Sequence, residues 1–257
     1  MRISLIQYDI VWENKDANLN FLFPLLKSLT GKTELVVLPE MFSTGFSMKS
    51  ESLAEPMTGL TINTLKQWAS DFGFAIAGSF ICTENELYFN RAFFVTPDSQ
   101  VYHYDKRHLF RMGDEPNYFH PGNEPTILTY HGWNIRLAVC YDLRFPVWLR
   151  NRENAYDLLL LVANWPTARI QVWDNLLTAR AIENQCYVCG VNRIGTDGLG
   201  LPYEGHSMLI DARGKCILRT PDNQCEICTT EIELDKLQLF REKFPVWKDA
   251  DNFNFVP

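Results

Sequence analysis

A thiol, a carboxylate and an amine brought together can attack a carbonyl, move its protons and stabilise the charge that develops. Cys140, Glu40 and Lys106 are candidates for those parts. Cys140 ends the apolar run LAVC and precedes YDLRFP, where a strand gives way to a turn and a helix. A nucleophile at such an elbow is held on rigid backbone and faces amides at a helix start, which lower a thiol's pKa and stabilise an oxyanion. The plain alternative is a buried core cysteine. Glu40 follows VVLP, at the end of an apolar strand, where α/β proteins place ligand sites; it could equally mark where the strand meets water. Lys106 follows a strand in YDKRHLF, although a short basic run also reads as a solvated turn. Glu115, in RMGDEPNYFHPG, is a loop acid, a type that commonly faces water. Taken singly, each residue is ambiguous.

The elements that would position them alternate between apolar strand-like runs and amphipathic stretches. RISLIQYDI reads as a strand, and 18–28 carries leucines at helical spacing. ELVVLPE is a strand ending at Pro39. Residues 61–72 form one apolar helical face stopped by Gly73, before the strand FAIAGSF. LYFNRAFFV and VYHYD flank a PDSQ turn, and ILTYHGWNIRLAVC turns at His131-Gly132, so both predict hairpins. The pattern further predicts a short helix over 146–154, a buried strand DLLLLVANW, a helix over 173–185 and a strand CYVCGVNRI. Hairpin strands over 203–230, turning at 212–214, and a helix over 235–243 close it. Helical and hairpin connections together predict an α/β sandwich of mixed sheets with helices outside.

No repeat or linker divides the 257 residues, which predicts one domain over 1–257 with an aromatic tail, 244–257, containing Trp247, Phe253 and Phe255. A net charge of −7 without a basic run argues against a nucleic-acid partner. MRISLIQYDIVW lacks a long apolar region, and the longest apolar run, 158–163, is too short to cross a bilayer. The expectation is a cytoplasmic protein without membrane contact, its seven cysteines reduced.

VVLPEMFSTGF, YDKRHLF and RLAVCYDLRFP, in that order, together with NWP at 164–166 and RAIENQCYVCGVNR at 180–193, resemble the nitrilase superfamily of carbon–nitrogen hydrolases. The resemblance spans essentially the whole chain and is nearest the omega-amidase branch. It implies a four-layer αββα sandwich with two mixed β-sheets, a homodimer or larger homo-oligomer, and no cofactor or metal. It also implies hydrolysis of the side-chain amide of small dicarboxylic acid monoamides such as 2-oxoglutaramate or 2-oxosuccinamate. By the same resemblance Glu40 is the general base, Lys106 the catalytic lysine, Cys140 the nucleophile and Glu115 a second, positioning glutamate. The Tyr141 backbone N–H would join the lysine at the oxyanion. A nitrilase or an N-carbamoyl hydrolase would share these residues. His108, His120 and His206 have no part in the scheme and are expected to be structural.

A substrate carboxylate calls for a guanidinium. Arg144, just past the nucleophile, is the candidate, with a structural ion pair as its alternative. Phe42, Phe46 and Trp165 could line a pocket or fill the core. Outside the enzyme class, a catalytically silent binding protein would keep the fold without the intact set. Cys186/Cys189 and Cys225/Cys228 form two CxxC pairs that suggest zinc. Each lies in a strand-like run, where residues i and i+3 point to opposite faces, so neither pair is expected to chelate.

Overall fold

The computed structural model describes residues 1–253; the part of the predicted aromatic tail that includes Phe255 lies outside them. The first half of the chain runs β1 (Arg2–Gln7), α1 (Lys15–Ser28), β2 (Leu35–Val37), α2 (Ser50–Leu53), α3 (Leu60–Phe72), β3 (Ala75–Glu84), β4 (Leu87–Val95) and β5 (Val101–Asp105). The second runs β6 (Ile127–Tyr130), β7 (Trp133–Val139), β8 (Leu158–Ala163), α4 (Ile170–Asn184) and β9 (Tyr187–Asn192). It closes with β10 (Ile194–Thr196), β11 (Pro202–Glu204), β12 (Met208–Ile210), β13 (Cys216–Arg219), β14 (Glu226–Glu231) and α5 (Leu234–Lys243). One six-stranded sheet has the order β14-β1-β2-β3-β4-β5 and the other β13-β12-β9-β8-β7-β6, with β10 and β11 as a separate pair. Both are mixed: β1, β2 and β3 are parallel, as are β7, β8 and β9, and antiparallel strands complete each edge. The predicted αββα sandwich is the fold observed.

Strand alternation builds the layers. Ile3, Leu5, Leu35, Val37, Ala75 and Ala77 point between the sheets and meet Ile135, Leu137 and β8. Their neighbours Ile6, Val36 and Ile76 point the other way, onto Leu22 and Leu26 of α1 and Ile62 and Leu65 of α3. A sheet covered on both faces must be apolar on both, hence the unbroken LLLLVA of β8.

Three predicted elements differ. Residues 146–154 form turns and a 3-10 segment at Arg152–Asn154 rather than a helix. The CYVCGVNRI strand divides at Arg193, whose buried guanidinium reaches Asp9 at 2.7 Å and so interrupts the run. Of the strands within 203–230 only β12 and β13 form a hairpin; β14 crosses to the other sheet and pairs with β1, whose free edge needs a partner. Cys189 lies on β9 and Cys228 on β14, so the two CxxC pairs belong to different sheets.

Candidate active site

The candidate residues follow the ends of strands. Glu40 comes three residues after β2, Lys106 directly after β5, Cys140 directly after β7 and Asn164 directly after β8. Glu115 begins a 3-10 turn, Glu115–Asn117. Residues far apart in the chain thereby meet. Lys106 Nζ lies 2.9 Å from Glu40 Oε1 and 2.9 Å from Glu115 Oε2, and all three side chains are fully buried. The Glu115 Oε2 also accepts the Phe110 N–H at 2.5 Å. Glu40 Oε2 accepts the Asn164 N–H at 2.8 Å, and the Asn164 side-chain amide donates to the Glu40 carbonyl at 2.6 Å. Asn164 thus holds Glu40 at both ends of the residue.

Cys140 has φ +44°, in the left-handed region that a non-glycine residue occupies only at a cost. Asp142 braces this bend by accepting the Val139 N–H at 3.1 Å, the Tyr104 hydroxyl at 2.8 Å and the His108 N–H at 3.0 Å. Beyond the bend lies a five-residue 3-10 turn, Cys140–Arg144. The thiol donates to the Asn164 carbonyl at 3.9 Å and faces the Glu40 charge. Burial pushes it well up, and the Glu40 charge pushes the same way against Lys106. The expectation that the elbow lowers this thiol is therefore corrected: low dielectric and a facing carboxylate outweigh one ammonium, and the resting sulfur keeps its proton. For Lys106, burial pulls down, but the Glu115 and Glu40 carboxylates outweigh it and hold the ammonium charged. Burial pushes the Glu115 carboxyl up, with Lys106 opposing and Glu40 adding.

A cavity of about 220 Å³ opens in front of Cys140. Tyr141, Trp165 and Arg144 line it. Phe42 does not: it is fully buried, edge-on to Phe93 in the core beneath the first sheet. The left-handed backbone at Met41 turns the chain, and Phe46 becomes the wall, its ring 5.1 Å from Lys106 Nζ. Arg144 lies over the Trp165 ring at 5.2 Å, and among the described residues no carboxylate pairs with it. Sequence reasoning missed Arg169, which also lines the cavity, its guanidinium 5.3 Å from the Phe110 ring and likewise without a carboxylate partner among the described residues. It missed Asn90 too, although a polar residue inside the aromatic strand LYFNRAFFV was a readable signal. No histidine lines the cavity among the described residues; His108 bonds Asp142 at 2.7 Å and His206 bonds Asp174 at 2.9 Å.

The carbon–nitrogen hydrolase family model matches residues 2–242. The chain belongs to the carbon–nitrogen hydrolase family. It is 44% identical over 255 residues to the omega-amidase YafV of Escherichia coli strain K12, covering 98% of each chain. It is 32% identical over 251 residues to the 2-oxoglutaramate amidase of Bacillus subtilis strain 168, covering 96% of each. A crystal structure of a carbon–nitrogen hydrolase superfamily protein from Xanthomonas campestris, with an arsenic adduct in its active site, superposes with a TM-score of 0.97 at 41% identity. The match covers 100% of this chain and 99% of that one. This family member is an amide-hydrolysing enzyme, as the resemblance to the omega-amidase branch implied.

Proposed function

We propose that this amidase hydrolyses the side-chain amide of small dicarboxylic acid monoamides, of the 2-oxoglutaramate and 2-oxosuccinamate kind, to the acid and ammonia through a thioester on Cys140. The observation that carries the reading is that the Cys140 thiol lines one small cavity and has the Glu40 carboxylate and the Lys106 ammonium, paired at 2.9 Å, buried behind it. Glu40 takes the thiol proton as sulfur attacks the amide carbon. Lys106 and the Tyr141 N–H stabilise the oxyanion. Glu40 then passes its proton to the leaving nitrogen, and ammonia departs. Next Glu40 deprotonates a water that attacks the thioester, and the sulfur leaves with that proton restored. Glu115 braces Lys106 from the far side.

The cavity supports small substrates, since drug-sized ligands occupy roughly 300–1,000 Å³. Arg144 and Arg169 supply guanidiniums for the distal carboxylate, held over the Trp165 and Phe110 rings. Ammonia release from 2-oxoglutaramate, 2-oxosuccinamate, glutamine, asparagine and simple nitriles, by the wild type and by Cys140→Ala and Cys140→Ser, tests the assignment. The 2-oxo monoamides are expected to lead, and both variants to be inactive yet folded. Turnover of nitriles alone would end the omega-amidase reading, and retained turnover in the Cys140 variants would end the mechanism. A cytoplasmic setting belongs to this reading, supported by seven free cysteines, two of them exposed. Pairing into a homodimer or larger homo-oligomer belongs to it as well, and light scattering tests that.

A further inference from the structure

Asn90 lies within β4, opposite Ile81 of β3, and touches every charged member of the buried cluster. Its carbonyl accepts the Lys106 N–H at 3.0 Å. Its side-chain nitrogen donates to Glu40 Oε1 at 2.7 Å and to Glu115 Oε1 at 3.1 Å. The Glu40 carboxylate, paired with the Lys106 ammonium, accepts hydrogen bonds, so the amide atom that faces it is the nitrogen. Asn90 Oδ1 accepts the Ser79 hydroxyl at 3.0 Å, and Ser79 Oγ accepts the N–H of Met41, next to Glu40, at 2.9 Å. The Ser79 hydroxyl therefore gives its own proton to Asn90 Oδ1, and both amide hydrogens go to the carboxylates.

Two carboxylates around one ammonium repel each other where water is excluded. A neutral side chain with two N–H bonds bridges them without adding charge. Aspartate has the same shape but only acceptors when ionised, and serine has one donor. We propose that Asn90 is a positioning residue for the amide hydrolysis, clamping Glu40 and Glu115 on either side of Lys106 and aiming Glu40 at Cys140. The inference rests on the base role given to Glu40. The titratable groups facing Glu40 are Lys106 after β5, Glu115 of the 3-10 turn and Cys140 after β7. A carboxylate that loses a donated hydrogen bond keeps its proton to higher pH.

The test is the pH profile of kcat and kcat/KM for wild type, Asn90→Asp, Asn90→Ser and Ser79→Ala, with melting temperatures alongside. Both Asn90 variants are expected to lose about tenfold or more in kcat at neutral pH. Their acid limb should move up by about one pH unit, further for aspartate than for serine. KM should change far less than kcat, because Asn90 does not line the cavity. Ser79→Ala, which frees the amide to turn and takes the acceptor from the Met41 N–H, should move the limb the same way by less. If Asn90→Asp does not fold, the other two variants carry the test. A uniform loss at every pH with an unmoved acid limb would make Asn90 a packing residue and overturn the proposal. Should Glu40→Gln retain wild-type turnover, the base assignment fails instead, and the two failures are distinguishable.

Discussion

Burial governs the behaviour of each reacting group. A thiol pushed up by low dielectric and a facing carboxylate is a poor nucleophile until its proton is removed, so attack and proton transfer must be coupled. Glu40→Gln separates the two effects. Removing the Glu40 charge takes away an influence that raises Cys140, so the thiol should titrate at lower pH, measured by the pH dependence of iodoacetamide alkylation. Turnover should nonetheless fall by about two orders of magnitude or more, because no group is left to carry the proton. Lys106→Ala should cost at least as much, since it removes the cation proposed for the oxyanion and strands two buried carboxylates. An ammonia-release assay reads both; a Glu40→Gln enzyme that is fully active would end the base role.

Elements are placed by ion pairs and caps as well as by apolar faces. Glu55 joins α1 to α3: Lys15 approaches it at 2.8 Å, while the Thr61 N–H and hydroxyl donate to it at 2.8 and 2.7 Å. Burial pushes this carboxyl up, but the Lys15 and Thr61 hydrogen bonds outweigh it and hold it below its ordinary 4.5. A depressed carboxyl adds stability above its unfolded value, and that stability is lost as pH falls through the folded one. Glu55→Gln should therefore cost about 1–2 kcal/mol at neutral pH, as for loss of a helix-start acceptor. The gap to wild type should close as pH drops below the ordinary carboxylate range. Urea denaturation at several pH values checks this, and a gap unchanged in acid would refute it.

At the scale of the whole molecule, the last quarter of the chain is tied to both sheets. β14 pairs with β1, the N-terminal ammonium donates to the Ile232 carbonyl at 2.8 Å, and Arg241 of α5 reaches Asp157, just before β8, at 2.6 Å. The first sheet needs β14 from the second half of the sequence, and the segment that supplies it is tied to the second sheet through Arg241. The expectation of one domain therefore predicts a single calorimetric transition whose van't Hoff and calorimetric enthalpies agree. Two resolved transitions would divide the chain. Deleting 226–257 should expose the β1 edge and leave the protein insoluble.

Local patterning was enough for much of this protein. Alternating and helical apolar periods are written in neighbouring residues, so β3, β4, β7 and α3 were legible, as was the stop at Gly73, which has φ +75°. The types and order of Glu40, Lys106 and Cys140 were equally visible, and with them the family. Tertiary structure alone decided that Phe46 rather than Phe42 faces the cavity, that Arg169 joins Arg144, and that Asn90 and Asn164 hold the acids. It also set the proton on Cys140. The reason is separation: Glu40 takes its ammonium from 66 residues away and its backbone donor from 124 residues away. Hydrogen bonding, burial and Coulomb forces depend on which atoms adjoin in space, and no local period in the chain records that.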